Sequence, residues 1–537
     1  MKTRFHSSRF VILALIGAGL VQAVALAWPM AGVNKGDSQG WLQCVALAVL
    51  AWHVDRVGSQ RRAFVQGWLF ATAWLLGATW WLYISLHTYG GLVAPLAALA
   101  VFLLAAGLGV FYAAAMSIFH VLTRRVQSVG LRALAFAALW SLAEIVRGTL
   151  WTGFPWGAIG YAHVDGILRH WAPWVGVYGL CALVAGAVML LCAERRNGAV
   201  TRVERGAIVV VVALLGFTGW TSPSRDTQSL ALSAAPLRVT LLQGNVAQDM
   251  KFGEGVQRAL VDYRAALMAS TSDLTVTPET AIPLIPEQMP ERYWAELQTH
   301  FSRGNQAALL GIPLAKRNEQ GQRQYSNAAI GLMPQATPAS TAHYQYDKHH
   351  LVPFGEFVPT LFQWFVRMLN MPLGDFTRGD VAQPSLSWKG ERIAPNICYE
   401  DLFGEELARR FASPNEAPTL LVNLSNIAWF GDTIAIDQHL NISRMRAIEL
   451  GRPMLRATNT GATAVINAQG EVTHRLPSAI QGALTADVYG VHGPMTPYAQ
   501  WASRYGLWPL VVVALLILVG VAGVSHANRH GQRRFGP

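Results

Sequence analysis

Charge is what this chain has least of. Only 14% of its 537 residues are charged and 52% are hydrophobic, where a soluble protein carries roughly 25% charged residues. The shortfall argues against a wholly water-soluble fold and for a large lipid-embedded part. Cysteine is almost as scarce. The four present, Cys44, Cys181, Cys192 and Cys398, show no paired spacing of the kind that builds a disulfide framework or a zinc site. Three lie in apolar runs, where a buried, inert thiol is the ordinary state. Cys398 stands alone in the polar part. There is no Walker-type glycine motif, so nothing in the sequence points to nucleotide chemistry, and no repeat or low-complexity tract. Neither a metal nor a cofactor is expected.

Acidic residues are also in deficit. The formal net charge is +11, nearly all of it from arginine. Such a surplus can mark a nucleic-acid-binding protein. Here the arginines sit in short loops between apolar runs, which is the pattern of membrane topology, so no nucleic-acid partner is expected. The length allows about three or four domain equivalents, enough for a membrane domain and a water-soluble one.

A membrane-spanning helix needs about 20 apolar residues. Seven candidate runs precede residue 221, at 9–30, 38–54, 63–86, 92–122, 131–150, 171–194 and 206–221, and an eighth covers 505–526. The first run also fits a signal peptide with Lys2, Arg4 and Arg9 as its charged start. Removing it would shift the parity of every later span. With the N-terminus in the cytoplasm, sixteen lysines and arginines fall on the cytoplasmic side. They include Arg56, Arg61, Arg62, Arg124, Arg125 and Arg132, against Lys35, Arg147 and Arg169 in the short external loops. The asymmetry follows the positive-inside rule and places residues 222–504 outside the cytoplasm, in the periplasm of a Gram-negative cell. The expected organisation is a membrane domain at 1–221, a linker at 222–236, a globular domain at 237–490, and a return segment with the eighth span and a cytoplasmic tail at 491–537.

In 237–490 short apolar runs alternate with helical patterns. LRVTLLQ (237–243), LTVTP (274–278), AALLGI (307–312), IAPNIC (393–398) and TLLVNLS (419–425) are expected to be buried strands. The stretches 256–270, 291–301, 402–412 and 437–451 are expected to be amphipathic helices. This alternation argues for an α/β domain.

Three positions there carry possible chemistry. Cys398, in APNICYEDLFGEEL, falls where a strand ends and a helix begins. A helix N-terminus lowers a thiol's pKa, and the thiolate is the nucleophile. The other reading is a buried structural cysteine. Glu279, in LTVTPETAIP, lies between two prolines at a strand end, where a carboxylate can accept a thiol proton; it also fits a solvated loop. Lys348, in YDKHHLVPFGEFVP, can stabilise an oxyanion or be a surface lysine. His349 and His350 lack a partner at zinc-like spacing. Glu356 sits in an apolar surround that suits burial against Lys348 or Cys398.

Taken in order, PE, DKHHLVPFGEFVP and CYED resemble the carbon–nitrogen hydrolase, or nitrilase, superfamily. Within it the chain is similar to the apolipoprotein N-acyltransferase branch, which places a nitrilase domain between seven spans and an eighth. The likeness includes RGTLWTGFPWG (147–157). The fold it implies is an α-helical membrane domain of eight transmembrane helices plus an αββα sandwich. The roles it implies are Glu279 as general base, Lys348 as oxyanion stabiliser and Cys398 as nucleophile. Glu356, Tyr399, Glu400, Asn327 and Trp429 match supporting active-site positions. Thr277 and Ile427 depart from the family pattern, which often has Trp and Asp there.

The resemblance implies acyl transfer from a phospholipid, through a Cys398 thioester, to the amine of a diacylglyceryl-cysteine on an apolipoprotein. The enzyme would act as a monomer in the bacterial inner membrane. A membrane-tethered amidase that delivers water to the thioester would use the same residues. A transporter would need polar pairs within the spans, and the chief one is Glu144 with Arg147. The apolar stretch 357–376 is expected to be an interfacial lid or a core helix. Trp151, Trp156, Trp171 and Trp174 are expected to anchor external membrane edges.

Overall fold

The computed structural model describes residues 2–32, 34–194, 206, 231–250, 253, 255–334, 343–358 and 376–534. Nearly all of the expected run 206–221, the first part of the linker and nearly all of 357–376 fall outside the described residues. The chain forms two compact units. One comprises Met1–Leu82, Ala94–Arg225 and Leu507–Pro537, the other Tyr83–Val93 and Asp226–Gly506.

The first unit is helical. Among the described residues four helices are long and apolar enough to cross a membrane: Ala94–Thr123, Val129–Thr152, Ile167–Cys192 and Trp508–Arg529. A fifth is added if the broken pair Gln60–Thr79 and Leu82–Tyr89 counts as one span. The expected eight are therefore not all present by this measure. Gly40–Arg56 has 17 residues, below the roughly 20 a span needs; the first helix, Lys2–Val24, has 23 residues, of which Arg9–Val24 are apolar. The outward faces are apolar, with Leu516 66% and Val519 70% exposed. A helix surface of that kind matches a hydrocarbon environment rather than water. This is a membrane protein.

Arg147 shows how a charge is accommodated there. Its Nε donates to Tyr112 Oη at 2.8 Å, Nη1 to the carbonyls of Phe154 and Trp156, and Nη2 to Glu144 at 2.7 Å. The pair holds the turn that follows its own helix. Trp156 is buried against Trp81, with ring centroids 4.8 Å apart, so the anchoring role expected of it does not hold. Trp151 and Trp174 are exposed.

The second unit holds two six-stranded sheets. We number its strands β1 Leu237–Gln243, β2 Leu274–Val276, β3 Ala307–Arg317, β4 Arg323–Leu332, β5 Tyr344–Asp347, β6 Leu386–Trp388, β7 Glu391–Ile397, β8 Leu420–Ser425, β9 Met454–Thr458, β10 Ala464–Ile466, β11 Val472–Arg475 and β12 Gly482–Val488. Its helices are α1 Gly255–Ala269, α2 Glu291–Arg303, α3 Gly404–Ala408, α4 Ala435–Leu450 and α5 Pro497–Tyr505. One sheet runs β12-β1-β2-β3-β4-β5 and the other β11-β10-β9-β8-β7-β6. β1, β2 and β3 are mutually parallel, as are β7, β8 and β9. Strands buried on both faces carry continuous apolar runs, and that is why LLVNLS and LRVTLLQ stand out in the sequence.

Leu241, Val276 and Leu309 of the first sheet share a core with Ile397, Val422 and Leu455 of the second. α1 and α2 cover the outer face of the first sheet through Leu267, Leu297 and Phe301. The architecture is the αββα sandwich. The stretch 402–412 is not one amphipathic helix. A 3-10 turn at Cys398–Leu402, the short α3 and a second 3-10 turn divide it, because Phe403 leaves helical geometry between them (φ −105°, ψ 76°).

Leu241 is fully buried between the sheets. Leu241→Ala is expected to cost roughly 2–5 kcal/mol and to lower the thermal unfolding midpoint in detergent. An unchanged midpoint would mean that the two sheets do not share a core.

Candidate active site

Strands from the parallel part of each sheet deliver the site from their C-terminal ends, the usual place for ligands in such sheets. β2 leads to Glu279, β7 to Cys398 and β8 to Asn426. After β2 the Thr277 N–H bonds the Leu309 carbonyl at 3.0 Å, and the Gly311 N–H bonds Thr277 Oγ1 at 2.9 Å. These bonds press the Pro278–Glu279 peptide onto β3. A Cβ at Gly311 would stand 2.1 Å from the Pro278 carbonyl oxygen, so only glycine permits this approach. Thr277, where the family often has Trp, thus ties the Glu279 turn to β3.

Lys348 follows β5. Its N–H bonds the Asn327 carbonyl at 2.8 Å, extending the β4–β5 ladder. Its Nζ lies 3.1 Å from Glu279 Oε1 and 3.0 Å from Glu356 Oε1. Asn327 Nδ2 donates to the same two oxygens, 2.7 Å from each. The far oxygens are held by backbone: Glu279 Oε2 by Asn426 N–H at 2.9 Å, and Glu356 Oε2 by Val352 N–H at 2.8 Å. All four side chains are buried. Burial alone would lower the Lys348 pKa. Glu279 and Glu356, with Cys398 and Glu400 behind them, more than reverse this and hold the ammonium well above its ordinary value.

Cys398 is half-buried at the end of β7. Its φ of 54° lies in the left-handed region, at a cost of order 1–3 kcal/mol for a non-glycine residue. The surroundings enforce it. Asn423 Nδ2 donates to the Cys398 carbonyl at 3.2 Å, and His439 Nε2 lies 3.3 Å from that oxygen. Ser425 Oγ is 3.4 Å from Sγ. The thiol pKa is not lowered as a helix N-terminus would lower it. Burial first, then the Glu279 charge, push it up to about 12, against Lys348, Ser425 and the Asn426 N–H. The 3-10 turn that begins at Cys398 is five residues long and has too little dipole to offset desolvation.

Glu400 ties the cysteine turn to the lysine loop. It accepts from the N–H groups of Ile397 (2.5 Å), His349 (2.7 Å) and His350 (3.1 Å), and from Tyr346 Oη at 2.8 Å. Burial pushes its carboxyl above the usual range despite those donors. Tyr399 packs its ring beside His350 and Phe403. Trp429 is 39% exposed and edge-on to Tyr89 at 5.8 Å. His350 stacks on Phe403 at 3.5 Å and reaches Glu406 at 3.0 Å. Among the described residues no group of three possible metal ligands occurs. Ile427 is buried and faces Gly461, so at this departure an apolar side chain fills space.

Sequence reasoning missed the support beneath the cysteine. Asp401 is fully buried and bonds His439 Nε2 at 2.9 Å, Arg456 Nη1 at 3.2 Å and Ser443 Oγ. His439 and Arg456 hold its carboxyl below the usual range although burial opposes this. One signal was available: Arg456 interrupts an otherwise apolar strand, and a buried charge demands a partner. The fully buried polar helix α4 had no such signal.

Residues 238–490 match the carbon-nitrogen hydrolase family, which gives the class of the second unit. Residues 18–190 match the apolipoprotein N-acyltransferase N-terminal domain. The chain is 50% identical over 508 residues to a protein of Verminephrobacter eiseniae named apolipoprotein N-acyltransferase, covering 91% of this chain and 92% of that one. A protein of that name from Ralstonia nicotianae is 45% identical, with 89% of each chain covered. One from Bordetella bronchiseptica is 38% identical, covering 95% of this chain and 96% of that one. The chain belongs to the apolipoprotein N-acyltransferase family.

A thiol whose pKa is raised keeps its proton through neutral pH. Alkylation of Cys398 by iodoacetamide, followed on its own peptide by mass spectrometry, is therefore expected to climb without a plateau up to about pH 10. Glu279→Gln removes one of the charges that raise the pKa and shifts the climb to lower pH. A wild-type plateau below about pH 8 would contradict the electrostatics described.

Proposed function

We propose that this enzyme moves a fatty acyl group from a membrane phospholipid onto Cys398, and then onto the N-terminal amine of the diacylglyceryl-cysteine of an apolipoprotein, the last step of lipoprotein maturation. The observation that carries the chemistry is one buried ammonium shared by two carboxylates beside a half-buried thiol.

In the first step Glu279 takes the Sγ proton and the sulfur attacks the ester carbonyl. Because the resting thiol is protonated, transfer to a base accompanies attack. Lys348, with the backbone N–H after the cysteine, stabilises the tetrahedral oxyanion. The C–O bond breaks, the lysophospholipid oxygen takes the proton from Glu279, and a thioester remains. In the second step the amine loses a proton to Glu279 and attacks the thioester. The C–S bond breaks and Cys398 recovers its proton. Amide formation from a thioester is downhill and needs no nucleotide.

Supporting roles follow from contacts. Glu356 and Asn327 fix Lys348 and Glu279. Glu400 fixes the loop that carries Lys348, and Tyr399 packs the wall beside it. Trp429, exposed on its loop, is suited to meet an acyl chain. Both substrates are lipids, which gives the membrane unit its purpose. We further read the chain as an eight-span monomer of the bacterial inner membrane with its sandwich in the periplasm, a topology supported by the arginine asymmetry. Water on the thioester would make an amidase or lipase instead. The near full-length similarity to proteins named N-acyltransferase favours the amine.

Incubation with phospholipid alone is expected to add one acyl mass to the wild-type chain, and a lipopeptide with a free N-terminus is expected to discharge it as an N-acyl product. Cys398→Ser should acquire no adduct while inserting normally. An equal adduct on the serine variant would show that the nucleophile is another residue.

A further inference from the structure

The membrane unit contains a second polar site, made of arginines. A cavity of about 380 Å³ lies among Asp55, Arg56, His120, Arg124, Arg132 and Glu194. These residues come from the ends of the helices Gly40–Arg56, Ala94–Thr123, Val129–Thr149 and Ala172–Cys192, the arginine-rich end of the unit.

The charges there do not cancel. Arg132 is buried and holds both Asp55 oxygens through Nη1, at 2.8 and 2.9 Å, while its Nη2 binds the Glu194 carbonyl. Its Nε is buried with no partner. Arg56 pairs with Glu194 at 3.2 Å and lies over the Trp52 ring. Both carboxylates are thus engaged. Arg124 is exposed and has no acidic partner among the described residues. Among the described residues three guanidiniums face two carboxylates, which leaves a cationic cavity, open at a helix end. Guanidinium groups recognise phosphate by charge-assisted paired hydrogen bonds. Basic pockets between membrane helices are suited to lipid headgroups.

We propose that this cavity binds the phosphate of an anionic glycerophospholipid, with Arg124 as the principal contact, at a site distinct from Cys398. The ligand is bound there rather than acylating the protein, since no cysteine, serine or threonine lines the cavity. Its effect is to hold the helix ends together.

The test uses the purified full chain in detergent micelles. Native mass spectrometry follows retention of dioleoylphosphatidylglycerol by the wild type, Arg124→Gln and Arg62→Gln. Arg62 is exposed and lies outside the cavity, so it controls for general surface charge. Loss of one charge-assisted contact is expected to weaken retention about tenfold in Arg124→Gln, with Arg62→Gln close to wild type. A parallel arm measures thermal protection by inorganic phosphate. Protection that vanishes in Arg124→Gln, without any lipid difference, upholds the phosphate site and makes free phosphate its ligand. Equal lipid retention and equal phosphate response in all three proteins would overturn the proposal, leaving Arg124 to complement the C-terminal dipole of Ala94–Thr123.

Discussion

The ammonium of Lys348 between Glu279 and Glu356 is the interaction on which the rest of the site depends. Two carboxylates this close, and this dry, repel each other unless a cation stands between them. A buried cation is equally untenable alone. Removing one member of such a group typically costs about 3–5 kcal/mol, because a charge is left buried without a counter-charge. The arrangement is thus mutually enforcing. It also sets the state of the neighbouring thiol, since Glu279 raises its pKa and Lys348 lowers it.

The sandwich brings these groups together by topology. Glu279 and Lys348 come from one sheet, Cys398 and Asn426 from the other, and the Asn426 N–H crosses to Glu279. Glu400 makes the reciprocal crossing from the cysteine turn to the lysine loop. Each sheet therefore fixes a group that the other supplies. The left-handed backbone at Cys398 is sustained because Asn423, His439 and the Asp401–Arg456 pair hold the turn from below. Strain at a functional residue persists only when its surroundings over-determine it.

Much of this was legible in the sequence, for identifiable reasons. Strands buried on both faces announce themselves as apolar runs, and β1 was read to its last residue. Glu279, Lys348 and Cys398 sit in distinctive local contexts at strand ends. β11 and β12 did not show, because their exposed faces carry polar residues such as Thr473, His474 and Thr485. Gly311 was silent because its importance is a steric contact with a peptide 32 residues away. The lowered thiol pKa was the wrong inference, since a helix N-terminus was weighed without the desolvation and the Glu279 charge that outweigh it. In the membrane unit, hydropathy located most helices but not how many are long enough to span.

The central claim is that Lys348 stabilises charge that develops on the substrate as Cys398 attacks. Lys348→Met keeps the length of the side chain and removes its charge, and its effect is read as the single-turnover rate of acyl-enzyme formation from phospholipid in protein shown to be folded and membrane-inserted. The account predicts a fall of about 10²–10³, the scale of losing an oxyanion contact. Acylation of that variant at the wild-type rate would contradict it.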